Sequence, residues 1–138
     1  MERVDAGRSR LIFLVLAIAT IALGLVVHLR GGVLGATARD IAGDALWAAM
    51  VAWLIAAAAP HVRPARRGLA AAAICFCVEF SQLYHAPALD ALRATTPGHL
   101  VFGSGFDARD LVAYTAGILA ALLIEGWRRT PARAAGKQ

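Results

Sequence analysis

The chain has 138 residues, of which 59% are hydrophobic and only 17% charged, with a formal net charge of +5. That balance excludes an ordinary soluble domain, where about a quarter of residues are charged. The basic excess does not point to nucleic acid, because it lies in short clusters beside apolar runs, where such clusters set topology and meet anionic headgroups.

Arg3, Arg8 and Arg10 precede the first apolar run, "LIFLVLAIATIALGLVVHL" (Leu11 to Leu29). At 1.5 Å per residue a helix over about 11–29 reaches roughly 28 Å, close to the thickness of the hydrocarbon layer. A cleaved signal peptide is the alternative, with "ATA" (Ala36 to Ala38) as its small-residue site. The run exceeds the roughly 7–15 residues of a signal core, which favours a retained helix.

A second apolar run predicts a helix over about 41–59, with Asp44 near its start and Trp47 and Trp53 as packing or interfacial aromatics. The basic hairpin "PHVRPARR" follows, then a third helix over about 68–84. Its Cys75 and Cys77 are two apart, so on a helix they point to opposite sides and neither pair nor share a tetrahedral metal. They read as small packing residues.

The same helix ends in "CVEFSQLY", which places Glu79 and Gln82 where lipid would be expected. The segment 85–108 is too polar and broken to span, although "PALDALRA" carries a short helical pattern and "HLVFGSGF" is apolar with two glycines. Such a segment lies at the interface or dips partway in, tolerated where protein or water satisfies its backbone. A fourth helix over about 109–127 opens with Asp110 and Tyr114. Ala113, Gly117 and Ala121 continue its Asp110 face at small-xxx-small spacing, which admits a close neighbour.

The fold expected over residues 1–138 is a single all-α membrane domain: four transmembrane helices in an antiparallel bundle, with a short interfacial or re-entrant segment between helices 3 and 4. Ten of the 14 basic residues, the last of them Arg128, Arg129, Arg133 and Lys137, then fall on one side, against Arg30, Arg39, Arg93 and Arg109 on the other. The positive-inside rule puts both termini in the cytoplasm.

In that orientation Asp44, Glu79, Gln82, Arg93, Asp110 and Tyr114 all lie towards the outer leaflet. Glu79 and Gln82 are i and i+3, and Asp110 and Tyr114 are i and i+4, so each pair shares one side of its helix. Two readings stay open. The six form an internal salt-bridge and hydrogen-bond network that fixes the bundle, or they line an outward-facing pocket, the default for ionisable groups inside a membrane. Three carboxylates face one guanidinium, or two if Arg109 turns inward, so either one acid holds a proton or a cation enters.

Metal ligation by His28, His85 or His99 with these acids lacks any ligand spacing such as H-x-x-x-H. No cofactor motif, phosphate loop or nucleophile elbow is present. The function expected is therefore an integral membrane protein, more a binder than an enzyme, whose polar pocket takes an envelope lipid or a small molecule. One alternative is an enzyme acting on a lipid-linked substrate at the outer leaflet, with Glu79 or Asp110 as general base and Arg93 on phosphate. The other is a transporter component formed by homo-oligomers, against which stand the apolar inner runs "MVAWLIAAAA" and "GILAALLI". Membrane lipids are the expected partners.

Taken together, "GDALWAAMV", "VEFSQLY" and "LDALRATTPGHLVFGSGFDARDLVAYTAGI" resemble the small bacterial membrane proteins grouped as domain of unknown function 2809, over about Arg10 to Arg128. The resemblance implies a four-span protein of the bacterial inner or plasma membrane and no particular activity. More distantly the motif order is similar to VanZ-like proteins, associated in some members with teicoplanin resistance. Their acid near a helix start, E-x-x-Q, Arg and D-x-x-x-N-x-x-G are echoed by Asp44, Glu79 with Gln82, Arg93, and Asp110 with Gly117. The chain departs from that pattern at Tyr114, in place of Asn, and at Ala48, often His there.

Overall fold

The structure, a computed structural model, describes residues 2–30, 35–102 and 105–135, with side chains over 7–30, 35–98, 101 and 105–128. The side chains of Arg3, His99, Arg129 and Arg133, and Lys137 as a whole, lie outside the described residues. Six helices follow one another: α1 (Glu2–Arg30), α2 (Ala36–Ala58), α3 (Pro64–Ser81), α4 (Pro87–Arg93), α5 (Thr96–Phe102) and α6 (Ala108–Ala135). Among the described residues there is no strand.

The long helices overrun the apolar stretches from which they were expected. Backbone hydrogen bonding continues into polar flanks that lipid would reject, so α1 includes the first arginines and α6 the last tryptophan and beyond. By length and apolarity three helices can cross a membrane: Gly7–Arg30 of α1, Ala36–Ala58 of α2 and Ala108–Arg128 of α6. Four were expected. Helix α3 has 18 residues, enough for about 27 Å, but Arg66, Arg67 and Glu79 within it lower its apolarity.

Contacts between named residues fix the helix directions. Phe13 stacks on Trp53 at 6.0 Å, pairing the start of α1 with the end of α2. Arg67, at the start of α3, meets Ala56 near the end of α2 and Glu125 towards the end of α6. Trp47 packs on Tyr114 at 5.6 Å, so α2 and α6 run the same way side by side. Helices α2, α3 and α6 enclose the core, and α1 packs along α2 and adds Phe13 and Ala17 to it.

That core is built largely from small residues: Ala48, Ala52, Ala56, Ala71, Cys75, Ala113 and Ala121, with Trp53 and Ile118 as bulk. Between membrane helices, which gain little from burying apolar surface already in lipid, close packing of small residues is the main source of affinity. Gly117 marks the tightest approach, since a Cβ there would lie 1.9 Å from the Ala45 carbonyl oxygen. The opposite faces carry Leu11, Val15, Ile18, Leu25, Leu69, Val112 and Leu123, all exposed. An apolar surface of that extent belongs against lipid.

Between α3 and α6 the chain forms two short helices. Pro87 opens α4, where a missing N–H costs nothing. Helix α5 then folds back so closely that a Cβ on Gly98 would lie 1.9 Å from the Leu92 carbonyl. Thr95 joins the two, its hydroxyl donating to Leu92 O at 2.7 Å and accepting from Gly98 N–H at 3.1 Å.

Candidate functional site

Helix α3 delivers Glu79 in its last turn, with no exposed surface at all. Its carboxylate accepts three hydrogen bonds. The Gln82 amide and the Tyr114 hydroxyl both donate to Oε2 at 3.0 Å, and the Asp107 backbone N–H donates to Oε1 at 2.7 Å. The last contact docks the start of α6 onto α3. Asp107 precedes that helix and caps it, accepting from Arg109 N–H at 2.9 Å. In a usual capping box the third helical residue would satisfy the cap's own N–H; here Glu79 does so from another helix, and Asp110, the residue at that position, faces elsewhere.

Asp110 and Asp44 of the neighbouring α2 lie near enough to each other and to Glu79 for their charges to interact. Carboxyl groups that share a site do not all ionise cheaply. Both are half-buried, whereas Glu79, Gln82 and Tyr114 are buried. The cluster therefore has a closed floor made by α3 and α6 and a more accessible rim made by α2 and α6. Gln82, 4% exposed, leaves its amide oxygen without a hydrogen-bond partner while its nitrogen serves Glu79.

The basic side chains at this end are directed away from the acids. Arg93, at the end of α4, is 6% exposed, and its guanidinium donates to the carbonyls of Ser81 at 2.7 Å and Tyr84 at 2.9 Å, with longer contacts to Ser81 Oγ and Asp90. It thus caps the carboxyl end of α3, where orphan carbonyls and the helix dipole favour a cation. Arg109 pairs with Asp107, its Nε 2.8 Å from Oδ2. The Arg109 side chain, through its hydrogen bonds, holds the exposed Asp107 carboxyl below its ordinary range. Of the six residues expected together, five gather and Arg93 faces the backbone of α3.

A second buried polar pair was not anticipated. Arg67 and Glu125 form an ion pair at the other end of the bundle, 2% and 5% exposed at their side chains. Arg67 also reaches Ala56 O at 3.5 Å and lies 5.3 Å from the centre of the Phe13 ring. In the sequence both residues read as flanks of apolar runs. The usable signal was depth: a base one turn into α3 and an acid near the end of the antiparallel α6 occupy the same level.

Chemically, the outer cluster offers acceptors. Glu79 uses the three donors that surround it, the half-buried carboxyls of Asp44 and Asp110 lie at the rim, and the Gln82 amide oxygen and Arg93 Nε are buried without a hydrogen-bond partner. Among the described residues no three His, Cys, Asp or Glu side chains are placed to hold a metal ion. His85 lies 3.4 Å from Asp90 on the exposed side of α4.

No solved structure matches the chain. Residues 33–118, more than half of its length, match the model of a family described as Protein of unknown function (DUF2809), and the chain belongs to that family.

Proposed function

We propose that the chain is a four-span protein of a bacterial inner or plasma membrane, with both termini cytoplasmic, that binds a small molecule or an envelope-lipid headgroup at the outer end of its bundle. Asp44, Gln82 and Asp110 contact the ligand; Glu79 and Tyr114 hold the floor; Arg93 fastens α3 beneath the outer segment. The observation that carries this reading is the gathering of three carboxyl groups with no guanidinium among them, although Arg93 and Arg109 are close at hand. A purely structural network would be expected to pair its charges.

Counting α3 as a span is supported by where its charges go. Arg67 and Glu79 are taken inside the bundle, and lipid meets Leu69, Ile74 and Phe80. The enzymatic alternative is left a weaker phosphate grip, because the two terminal nitrogens of Arg93 donate to the Tyr84 and Ser81 carbonyls and its Nε is buried. The transport alternative is opposed by the apolar stretch of Ala52, Ala71, Cys75, Ile118 and Ala121 between the two polar ends.

Two measurements test the reading. Cysteine-accessibility labelling should find Thr96 external and Ala65 cytoplasmic, and the reverse would overturn the orientation. Native mass spectrometry of the protein released from lipid nanodiscs should show a retained mass that the folded Asp44→Asn/Asp110→Asn variant lacks. A wild-type protein that carries nothing would remove the binding function.

A further inference from the structure

We propose that the end of the bundle opposite the acidic cluster holds the phosphate of an anionic phospholipid in a cleft between α1 and α6. This place is distinct from the acidic cluster, and the proposal does not rest on binding there. The cleft has a volume of about 100 Å³ and is lined by Ser9, Ile12 and Phe13 of α1 and by Glu125 and Arg128 of α6. Among the described residues α1 packs along α2 and not along α6, which leaves this gap between their ends. Arg67 joins the two walls, its guanidinium over the Phe13 ring and paired with Glu125.

The charge count at the cleft favours an anion. Glu125 is matched by Arg67, so that buried pair adds no net charge; Arg67 Nε, enclosed and without a partner, takes no part in the count. Arg128 is exposed, as is Arg8, which lies one turn before Ile12 on the same face of α1. Among the described residues neither arginine forms an ion pair. Ser9, half-buried, adds a hydroxyl that can donate. Guanidinium and hydroxyl donors beside uncancelled positive charge suit a phosphate, which the planar arginine fork can grip with two hydrogen bonds. The volume takes one such group and is well below the roughly 300–1,000 Å³ of a site that encloses a whole small molecule.

Depth selects a phospholipid over a phosphate in solution. All five lining residues fall in the terminal two turns of Gly7–Arg30 and Ala108–Arg128, two of the segments able to cross a membrane. Trp127, next to Arg128, is 80% exposed, as suits an aromatic at headgroup level. Leu11 and Val15 of α1 and Leu123 and Ile124 of α6, neighbours of the lining residues in sequence, are exposed as well. Acyl chains cover such surfaces while the headgroup they carry enters the cleft. A zwitterionic headgroup would bring its own cation towards Arg8 and Arg128, whereas phosphatidylglycerol brings none.

The experiment uses the full chain in nanodiscs of phosphatidylcholine containing a rising minor fraction of phosphatidylglycerol. Lipid retained on release is read by native mass spectrometry, with the thermal midpoint alongside. Wild type should retain phosphatidylglycerol in preference to phosphatidylcholine and gain stability as its fraction rises. Arg128→Gln should raise the fraction needed for half-retention by about tenfold or more, the loss of a hydrogen bond between charged groups. Arg10→Gln removes an equal charge at the same end outside the lining and should change it by less than about fivefold, the effect of one basic residue near an anionic surface. Ser9→Leu fills the cleft with every charge kept and should weaken retention as Arg128→Gln does. Equal losses in Arg128→Gln and Arg10→Gln, or no loss in Ser9→Leu, would reveal diffuse attraction to the membrane surface and overturn the site. Equal retention of the two lipids by wild type overturns it as well. Stabilisation by glycerol phosphate in discs of phosphatidylcholine alone would replace the lipid by a soluble phosphate. The Asp44→Asn/Asp110→Asn variant should keep its phosphatidylglycerol, which separates this result from any mass retained at the outer end. The comparison of lipids in the wild type requires no variant to fold.

Discussion

Replacing Glu79 by Gln is the sharpest probe of the cluster's floor. The amide has one oxygen where the carboxylate has two, and the three donors approach from both sides. Its cheaper orientation keeps the oxygen towards Gln82 and Tyr114 and turns an NH2 group towards the Asp107 N–H. One hydrogen bond to a charged acceptor is lost and two buried donors face each other, a cost of about 1.5–3 kcal/mol. Removing a negative charge near Asp44 and Asp110 offsets part of this, so a net loss of about 1–2 kcal/mol is expected. Glu79→Ala strands all three donors and should cost about 3 kcal/mol or more. Tyr114→Phe removes one donor and keeps the ring, and hydrogen bonds between membrane helices average about 0.6 kcal/mol. The order of destabilisation is then Glu79→Ala, Glu79→Gln, Tyr114→Phe. Reversible unfolding in mixed micelles of rising SDS fraction, followed by tryptophan fluorescence, reads it directly, because Trp47 packs on Tyr114. A Glu79→Gln protein as stable as wild type at neutral pH would refute the claim that the charge of Glu79 organises its donors.

Two further substitutions test the packing on which the cluster depends. Gly117→Ala places a methyl group 1.9 Å from the Ala45 carbonyl, so α2 must back away from α6 at a cost of about 1–3 kcal/mol; a lower thermal midpoint is expected, with Gly24→Ala, which meets nothing within 4 Å, as the neutral control. Arg67→Leu leaves Glu125 buried without its guanidinium and should cost about 3–5 kcal/mol, whereas Arg67→Leu combined with Glu125→Leu should recover most of that loss, and a double-mutant cycle in which the two losses simply add would show that the pair is not coupled.

Much of the bundle was legible because lipid imposes a length and an apolarity on whatever crosses it. The short helix α4 was legible in "PALDALRA", which opens with Pro and places Leu at helical spacing. Helix α5 was hidden by the glycine that its packing on α4 requires, since Gly98 reads as a breaker until the Leu92 carbonyl is seen beside it. Within the cluster, the i, i+3 and i, i+4 spacings placed Glu79 with Gln82 and Asp110 with Tyr114 on shared faces, and helix direction brought the two faces to one end. The destination of Arg93 was not legible. A long side chain at the end of α4 reaches either a carboxylate or the carbonyls at the end of α3, and here it takes the carbonyls of Ser81 and Tyr84. Nor was Arg67 with Glu125, since a residue at the edge of an apolar run reads as a topology signal until its partner's depth is compared.

The two buried polar groups of this chain are best understood against each other. At one end an acid and a base on antiparallel helices close on one another, with an aromatic ring over the guanidinium. Such a pair balances its own charge and holds α3 against α6, although Arg67 Nε, like Gln82 Oε1, is buried without a hydrogen-bond partner. At the other end the materials for a similar pair are at hand, because Arg93 is buried within the adjoining segment and Arg109 is one residue from Asp110. Neither is used that way. Arg93 satisfies backbone carbonyls and Arg109 satisfies a capping carboxylate, while Asp44 and Asp110 lie within electrostatic range of each other and the Gln82 oxygen has no donor. A bundle held only by its polar contacts would lose stability by this arrangement, since the unmet acceptors add repulsion and desolvation and tighten no helix. The two ends differ in charge balance, and the difference predicts that Asp44→Asn or Asp110→Asn raises the thermal midpoint of the protein; a lower midpoint in both variants would show that these acids stabilise the bundle.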